Sequence, residues 1–269
     1  MNLTLSMSLE TELEAIRTGA AIFPLTDRAF LRITGPDATR WLNGMVTNNI
    51  KDLAPGQGNF NFLLNAQGRI QGTCTIYREP KEDVPAAYLL ETDATQLDTI
   101  HQLLEKFIIM DDVELTPVDS SDQPLAILGL KAGTVEVSAE AIEAHRILTA
   151  TPKFGQDIRD RDLPQETAQT HALHFSKGCY LGQEIVERIH SRGNVHRTFT
   201  AFTLTGALPE LPAPLESSAL GPDQPAKPAG ELTSAIRIGN TLHALGYLRR
   251  DAQPPLIYPG GTATPKALS

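Results

Sequence analysis

The sequence predicts an α+β fold. Strand-like and helix-like stretches are intermixed along its 269 residues, without the regular strand–helix–strand repeat that builds a parallel sheet. Alternating apolar and polar residues, as over 60–64, indicate strands, and apolar residues at helical spacing, as over 97–107, indicate helices. The length suits one large unit or two to three modest ones.

The first part of the chain predicts a helix, a strand, a second helix and a hairpin. The first helix is expected over 8–18 with a serine at its N-cap, and a turn and strand follow within 20–35. The second helix is expected to open near Pro36 and to close near Gly44. Residues 56–78 predict a hairpin about the turn Asn-Ala-Gln-Gly-Arg.

Cys74 is expected in the core. It alternates with Ile70 and Ile76 along the second strand of the hairpin, so the three side chains share one face of the sheet. Free cysteine is among the most buried residue types. The sequence therefore predicts a shielded, structural thiol at this position.

Beyond the hairpin both element types continue to alternate. Residues 139–151 carry helix and strand signals together, and their assignment stays open. Six prolines within 207–230 predict a surface loop or linker rather than a packed element. The remaining elements are expected as strands at 86–92, 111–118, 124–130, 231–236 and 243–250, and as helices at 94–109 and 181–193.

Composition limits the classes of function. The formal net charge of −9 argues against a general affinity for nucleic-acid phosphates or anionic membranes, although a local basic pocket stays open. Two cysteines do not make a disulfide framework, and no secretory leader or long apolar run is evident. We therefore expect a reduced, soluble, cytoplasmic protein without a nucleic-acid or membrane partner.

The densest stretch, Ser-Lys-Gly-Cys-Tyr-Leu-Gly-Gln-Glu, lies where the helix of 181–193 is expected to begin. Lys177 places a cation two residues before Cys179, and both this charge and the helix N-terminus favour a thiolate over a thiol. Gly178 and Gly182 permit a tight backbone and close approach of another molecule. The alternative, a glycine-bracketed turn with Cys179 as filler, stays open.

Other arrangements of chemically active residues are weaker. His171 and His174 are spaced to share a metal, but nothing supplies four zinc ligands at finger spacing. Cys179 with His190 or His196 forms a conceivable nucleophilic dyad, without a local cysteine-hydrolase signature.

A local basic cluster also lies in this acidic chain. It consists of Lys177, Arg188, Arg192 and Arg197. Two interpretations stay open, a solvated helix face and a pocket for the anionic tail of a ligand.

The stretch around Cys179 resembles the K-G-C-[FY]-x-G-Q-E motif of the YgfZ family, folate-binding proteins related to the T-protein of the glycine cleavage system. The similarity extends over roughly 20–75 and 140–250. Supporting segments resemble that family at LPQET (163–167), RILTATPKFGQDI (146–158), the hairpin region 44–70 and the last strands 229–250.

The resemblance implies a T-protein-like α+β body with a central folate cavity, followed by a small C-terminal antiparallel β-barrel. The folate-binding region, with two subdomains, would occupy 1–200. The barrel domain would occupy 201–269, with 207–230 as its proline-rich loop.

The resemblance also implies a function. It indicates a tetrahydrofolate-binding accessory factor in the assembly or repair of iron–sulfur proteins, with tetrahydrofolate or a one-carbon derivative as cofactor. Its partners would be folate and iron–sulfur client or assembly proteins. Cys179 would be the reactive thiol, with Lys177 beside it. The residues expected to bind folate are Asn48, Asn65, Arg146, Lys177, Tyr180, Gln183, Glu184 and Arg192.

Two departures from the T-protein bear on chemistry. The T-protein carries an Asp-Asp pair after its hairpin glycines, on which aminomethyl transfer depends, and this chain has Gln71-Gly72 there. The T-protein glutamate that faces the pterin falls on Leu148, which cannot accept pterin N–H groups. Two cysteines are also too few for a four-cysteine cluster.

Glycine cleavage activity is therefore not expected. A folate-dependent one-carbon transferase stays the alternative function. A binding module without cysteine chemistry is a third.

Overall fold

The computed structural model describes residues 7–19, 21–23, 27–80, 85–118, 126–128, 135–193, 195–217 and 226–266. Two compact units make up the chain. The barrel unit comprises Met1–Leu25, Pro124–Asp157 and His196–Ser269, and the hairpin unit comprises Thr26–Gln123 and Ile158–Val195. Both units are discontinuous in sequence, and the division into 1–200 and 201–269 stays a prediction.

Helices and strands are mixed as expected for the α+β class. Within the described ranges the α-helices are α1 (Leu9–Thr18), α2 (Ala38–Met45), α3 (Leu97–Glu105), α4 (Ala139–Leu148) and α5 (Gln183–Arg192). The strands are β1 (Ala21–Phe23), β2 (Arg28–Thr34), β3 (Gly58–Leu64), β4 (Ile70–Arg78), β5 (Tyr88–Asp93), β6 (Glu114–Pro117), β7 (Ala126–Leu128), β8 (Val135–Glu136), β9 (Arg197–Gly206), β10 (Ala213–Ser217), β11 (Lys227–Ile238), β12 (Thr241–Arg249), β13 (Leu256–Tyr258) and β14 (Gly261–Lys266). None of the helices in the described ranges has the length and apolar character needed to span a membrane.

The hairpin unit is built on a five-stranded antiparallel sheet in the order β3-β4-β5-β2-β6. Helices α2 and α3 contribute to its core, where Leu42 and Ile100 meet Ile33 and Leu90 of the strands. All four side chains are fully buried. Their burial is the main stabilising contribution of this unit, because apolar area removed from water drives folding.

Cys74 lies in this core, as predicted. It is 1% exposed and faces the same cluster as Ile76. Burial raises the pKa of its thiol to about 12, with Glu91 adding to the shift and Arg28 opposing it. The thiol is therefore protonated and shielded at neutral pH.

The barrel unit contains the closed six-stranded barrel β10-β11-β12-β9-β14-β13, in which every neighbouring pair is antiparallel. Phe202, Leu215, Leu232 and Leu242 fill its interior. The C-terminal barrel that the resemblance implied is thus confirmed. Helices α1 and α4 and the three-stranded sheet β7-β1-β8 belong to the same unit.

The proline-rich stretch 207–230 is not entirely a loop, and this expectation was wrong for two segments. Strand β10 and the start of β11 fall within it, while 218–225 lie outside the described residues. Ala213 and Leu215 alternate inward with outward neighbours, which outweighs the proline content. Pro214 pairs with Glu231 of β11 on one side, whereas β13 pairs only with Glu216 and Ser217, so Pro214 has no pairing partner on the β13 side.

The open assignment at 139–151 resolves as helix α4. Ser138 caps its first turn by accepting the Ala141 N–H, and the Glu12 carboxylate accepts both the N–H and the hydroxyl of Ser138. The expected cap of α1 at Ser8 is also confirmed. Local capping decides both helix starts, because the first N–H groups of a helix lack partners within it.

Candidate functional site

The Lys177–Glu184 stretch lies in the hairpin unit and leads into helix α5. Lys177 is turned inward and is only 8% exposed, whereas Cys179 two residues later is exposed. The neighbouring Tyr180 is buried again, at 7% exposure. The stretch therefore alternates between interior and surface, with the thiol on the outside.

The Lys177 amine is engaged by backbone oxygens at the end of α2. It donates to the Asn43 carbonyl at 2.6 Å and also to the Val46 carbonyl. The Asn43 amide in turn donates to the Lys177 carbonyl at 3.5 Å. The last carbonyls of a helix lack partners within it and accept donors from elsewhere in the chain. Lys177 therefore completes the C-terminal end of α2.

A second contact ties the same stretch to α2. The Leu181 N–H donates to the Gly44 carbonyl at 3.2 Å. Three residues, Gly178, Cys179 and Tyr180, thus bridge two fixed points. Gly178 has a φ of +101°, a backbone conformation between these two points that favours glycine.

Burial changes the acid–base character of Lys177. Loss of solvation lowers its pKa to about 7, and the nearby charge of exposed Lys51 contributes in the same direction. The amine also lies 5.0 Å from the centroid of the Tyr180 ring. At neutral pH this lysine is therefore partly uncharged, in contrast to an ordinary surface lysine.

Tyr180 holds an unusual hydroxyl. This buried oxygen has no hydrogen-bond partner among the described residues, and burial together with the charge of Glu187 raises its pKa. Its backbone N–H is satisfied by the side-chain oxygen of Gln183 at 3.2 Å. Burying a hydroxyl without a hydrogen bond costs stability.

Close packing explains the second motif glycine. A Cβ at Gly182 would lie 2.6 Å from the Asn65 carbonyl, and a Cβ at Gly68 would lie 2.8 Å from Ile185. The start of α5 therefore packs directly on the turn between β3 and β4. Gly182, with a φ of +83°, is also the N-cap of α5.

The expected folate-binding asparagines have structural partners. Asn48 donates to the carbonyls of Phe60 and His171 at 3.1 and 2.9 Å. The Asn65 side-chain oxygen accepts the N–H groups of Gln67 and Arg69 and so closes the hairpin turn. A folate contact at Asn48 would have to displace one of these donor bonds.

Arg146 lies in the barrel unit and is engaged through all five of its N–H donors. Its guanidinium binds Glu143 twice, the buried Asp157 at 2.7 Å, Ser234 at 2.9 Å and the Thr151 carbonyl at 3.4 Å. Asp157 also accepts from Thr233 and Ser234 on β11. Arg146 therefore fastens α4 to the barrel, and its role in folate binding stays a prediction.

The remaining expected residues lie on the surface of α5. Glu184 is exposed and pairs with Arg188 at 3.1 Å, and Arg192 is exposed at the end of the helix. Arg197 belongs to the barrel unit, where its guanidinium lies 4.2 Å from the centroid of the Tyr247 ring. Because Lys177 points inward, the four basic side chains do not form one exposed group.

The histidines near Cys179 have neighbours of their own. His174 accepts the Ser176 N–H at 3.1 Å, and His190 stacks on Phe175 with 3.9 Å between ring centroids. Among the described residues no three His, Cys, Asp or Glu side chains converge as a metal site.

Gln71 and Gly72 occupy a crowded edge of β4. The Gln71 side chain donates to the Ile70 carbonyl at 3.1 Å. A Cβ at Gly72 would lie 3.0 Å from Ile100 and 3.3 Å from the Gln96 side-chain oxygen. A side chain at position 72 would require these neighbours to give by a few tenths of an ångström, and Gln71-Gly72 provides no acidic group here.

The residue that the sequence analysis missed is Asn43. It is 3% exposed, and its side-chain oxygen accepts the Ile50 N–H while its amide reaches Lys177. The available signal was a polar residue next to apolar Trp41 and Leu42 on a short helix. Its partner Lys177 lies 134 residues away, so the sequence did not indicate the contact.

The architecture is that of the glycine cleavage T-protein. The aminomethyltransferase T of Bartonella henselae superposes with a TM-score of 0.76, covering 95% of this chain and 88% of that one at 13% identity. The GCVT N-terminal domain family matches residues 3–138, and this chain belongs to that family. The expected relationship to the T-protein is thereby confirmed.

Relatives carry two kinds of name. An iron–sulfur cluster assembly factor IBA57 homolog of Neurospora crassa is 25% identical, over 77% of this chain and 58% of its own length. The mouse IBA57 is 26% identical, over 70% and 67%. A Listeria monocytogenes aminomethyltransferase is 24% identical, over 75% and 51%. The chain therefore spans under two thirds of the Neurospora and Listeria relatives.

Replacing Gly182 by alanine is expected to destabilise the hairpin unit more than replacing Gly178. Both have positive φ, which costs an alanine about 1–2 kcal/mol. Only Gly182 also faces backbone within 3 Å, while the space beside Gly178 is open. The additional overpacking should lower the free energy of unfolding by about 1–3 kcal/mol more, measured by urea denaturation. Equal losses in the two variants would contradict the close contact with Asn65.

Lys177 is expected to make stability depend on pH between about 7 and 10.5. Its folded pKa of about 7 lies below the ordinary 10.5, so in this window the unfolded chain holds a proton that the folded chain does not. The free energy of unfolding therefore rises with pH, by at most about 1.4 kcal/mol per unit, and the contribution is lowest below pH 7. The difference in free energy of unfolding between wild type and Lys177→Met should therefore change as the pH rises from 7 to about 9. If the free energies of unfolding of the two proteins keep a constant difference over this range, the pKa of Lys177 is not lowered. The control is Lys51→Met, which replaces an exposed lysine.

Proposed function

We propose that this protein binds a reduced folate and acts as an accessory factor in the assembly or repair of iron–sulfur proteins, with the Cys179 thiol as its working group. Membership of the GCVT family supports the folate part. Relatives in Neurospora crassa and mouse that are named as iron–sulfur cluster assembly factors support the second part.

The observation that carries the proposal is one exposed thiol, that of Cys179, on a turn that is hydrogen-bonded to α2 at both ends. Cys179 is exposed, while Lys177 and Tyr180 on either side are buried and the turn is tied to α2 at both ends. Thiolates are the protein ligands of iron–sulfur clusters and the nucleophiles of thiol exchange. A single exposed thiol suits a transient contact with a client protein.

The cysteines of this chain do not suit stable binding of an iron–sulfur cluster. Iron–sulfur clusters are usually held by four cysteines, and this chain has two, of which Cys74 is enclosed in the sheet core. We therefore place the cluster on the client or assembly protein rather than on this chain.

The protein groups that would bind folate lie in the hairpin unit. Arg192 offers an exposed guanidinium suited to a carboxylate tail. The Tyr180 hydroxyl is buried without a partner among the described residues, so folate would reach it only after neighbouring side chains move. These two residues fit a folate better than Asn48, Asn65 or Arg146, whose side chains already bind protein groups. When bound, tetrahydrofolate would supply a carrier for one-carbon groups.

An aminomethyl-type transferase is the second candidate, and the Listeria relative favours it. The hairpin argues against it, because Gln71 and Gly72 fall where the resemblance places the acidic pair of the T-protein, and a Cβ at Gly72 would already be in tight contact with Ile100. The test is an assay with methylene-tetrahydrofolate, an amine acceptor and the other glycine cleavage proteins. Turnover in this assay would favour the transferase over the accessory factor.

Deleting the gene in its host is expected to lower the activity of iron–sulfur enzymes, and the wild-type gene should restore it. Cys179→Ser should fail to restore activity, because a serine hydroxyl is a much weaker cluster ligand than a thiolate and does not take part in thiol exchange. Cys74→Ala is the matched control and should restore activity despite a lower melting temperature, since its thiol is buried. Full rescue by Cys179→Ser would remove the thiol from the function, and unchanged enzyme activities in the deletion strain would remove the function itself.

Tetrahydrofolate is expected to bind with an affinity that falls as salt rises, because partly exposed charges are screened over about 8 Å at physiological ionic strength. Tyr180→Phe should weaken binding about fivefold, the value of one ordinary hydrogen bond, without lowering stability. Calorimetric titration at low and high salt measures both effects. Absence of binding at millimolar folate would refute the folate part alone.

A further inference from the structure

We propose that Lys177 is a positioning residue for Cys179. Its amine fastens one end of the Gly178–Tyr180 turn to the C-terminal end of α2 and thereby holds the thiol at the surface. This inference deepens the proposed function, on which it rests for the importance of the thiol. It differs from the sequence-based expectation, in which the charge of Lys177 activates Cys179.

The end of α2 offers a set of acceptors that the turn satisfies. The carbonyls of Asn43 and Val46 accept from the Lys177 amine, and the Gly44 carbonyl between them accepts the Leu181 N–H. These acceptors lie within four residues at one helix end, so the two fastening points are close together. The intervening turn cannot move away from α2 without breaking these bonds.

Within the turn only the cysteine is free to face outward. The Tyr180 ring is buried beside the Lys177 amine, and its N–H is bound by Gln183. Gly178 has no side chain, and the space that a Cβ would occupy is open. Fixing the residues on both sides of Cys179 therefore selects the surface position of the thiol.

The bonds of Lys177 argue against activation by charge. Its amine is buried and is directed to two carbonyl oxygens, and the shift of its pKa toward neutrality reduces its average charge. An uncharged amine still carries two hydrogens, one for each carbonyl. The fastening therefore does not require a positive charge, and a neutral donor of suitable length should preserve part of it.

The decisive comparison is Lys177→Gln with Lys177→Met. Both side chains are neutral and similar in size, but only glutamine offers an N–H₂ group that can donate to both carbonyls. Lys51→Met is the charge control, since it removes the neighbouring cation without touching the turn. Amide hydrogen exchange at Leu181, alkylation of Cys179 by iodoacetamide read by mass spectrometry, and rescue of the deletion strain are measured for each full-length variant.

We expect exchange at Leu181 to accelerate about tenfold in Lys177→Met, as loss of two hydrogen bonds implies, and distinctly less in Lys177→Gln. Exchange in strand β4, which belongs to the same hairpin unit as Lys177, should stay unchanged, which shows that this unit keeps its fold. Alkylation of the exposed thiol should stay within about twofold in all variants, because the charge is not its activator. Rescue should be lost in Lys177→Met and partly kept in Lys177→Gln.

Unchanged exchange at Leu181 in Lys177→Met would overturn the proposal. Alkylation slowed about tenfold in both neutral variants would overturn it in favour of activation by charge. Full rescue by Lys177→Met despite faster exchange would show that positioning is not needed. If the wild-type gene itself gives no rescue, the proposed function fails, while the exchange comparison still decides whether Lys177 fastens the turn.

Discussion

The candidate site depends on the unsatisfied C-terminal end of a short helix. Helix α2 leaves its last carbonyls without partners of its own, and Lys177 and Leu181 supply the missing donors from a stretch more than 130 residues later in the chain. Leaving such buried carbonyls unpaired would cost about 1–3 kcal/mol each. The same bonds that complete the helix therefore determine where Cys179 lies.

A second constraint acts from the other side of the turn. The hairpin between β3 and β4 presents Asn65 and Gly68 to the start of α5, and only glycine at 182 lets the two backbones approach. The two motif glycines thus have different roles: Gly178 adopts a positive φ, and Gly182 allows close packing. Helix α2 and the hairpin thus contact the segment around Cys179 from two sides, which suits the proposed contact of this thiol with another protein.

The barrel unit uses the same principle at a different place. Asp157 is fully buried and accepts from Arg146, Thr233 and Ser234, so a charged pair and two hydroxyls join α4 to β11. A buried carboxylate is tolerated because every strong acceptor site is used. Arg146 lies in a segment that resembles the YgfZ family, and it uses all of its side-chain N–H donors to stabilise the fold.

The sequence by itself determined what periodicity and residue type express locally. It predicted the mixed α+β class, the N-cap of α1, the hairpin with Cys74 in the core and the helix after the Cys179 turn, because spacing of apolar residues reports which face is buried. It could not show that Lys177 turns inward, that Asn43 is its partner or that part of the proline-rich stretch forms β10. Those outcomes depend on contacts between residues far apart in the chain, and only the tertiary structure decides which donor reaches which acceptor.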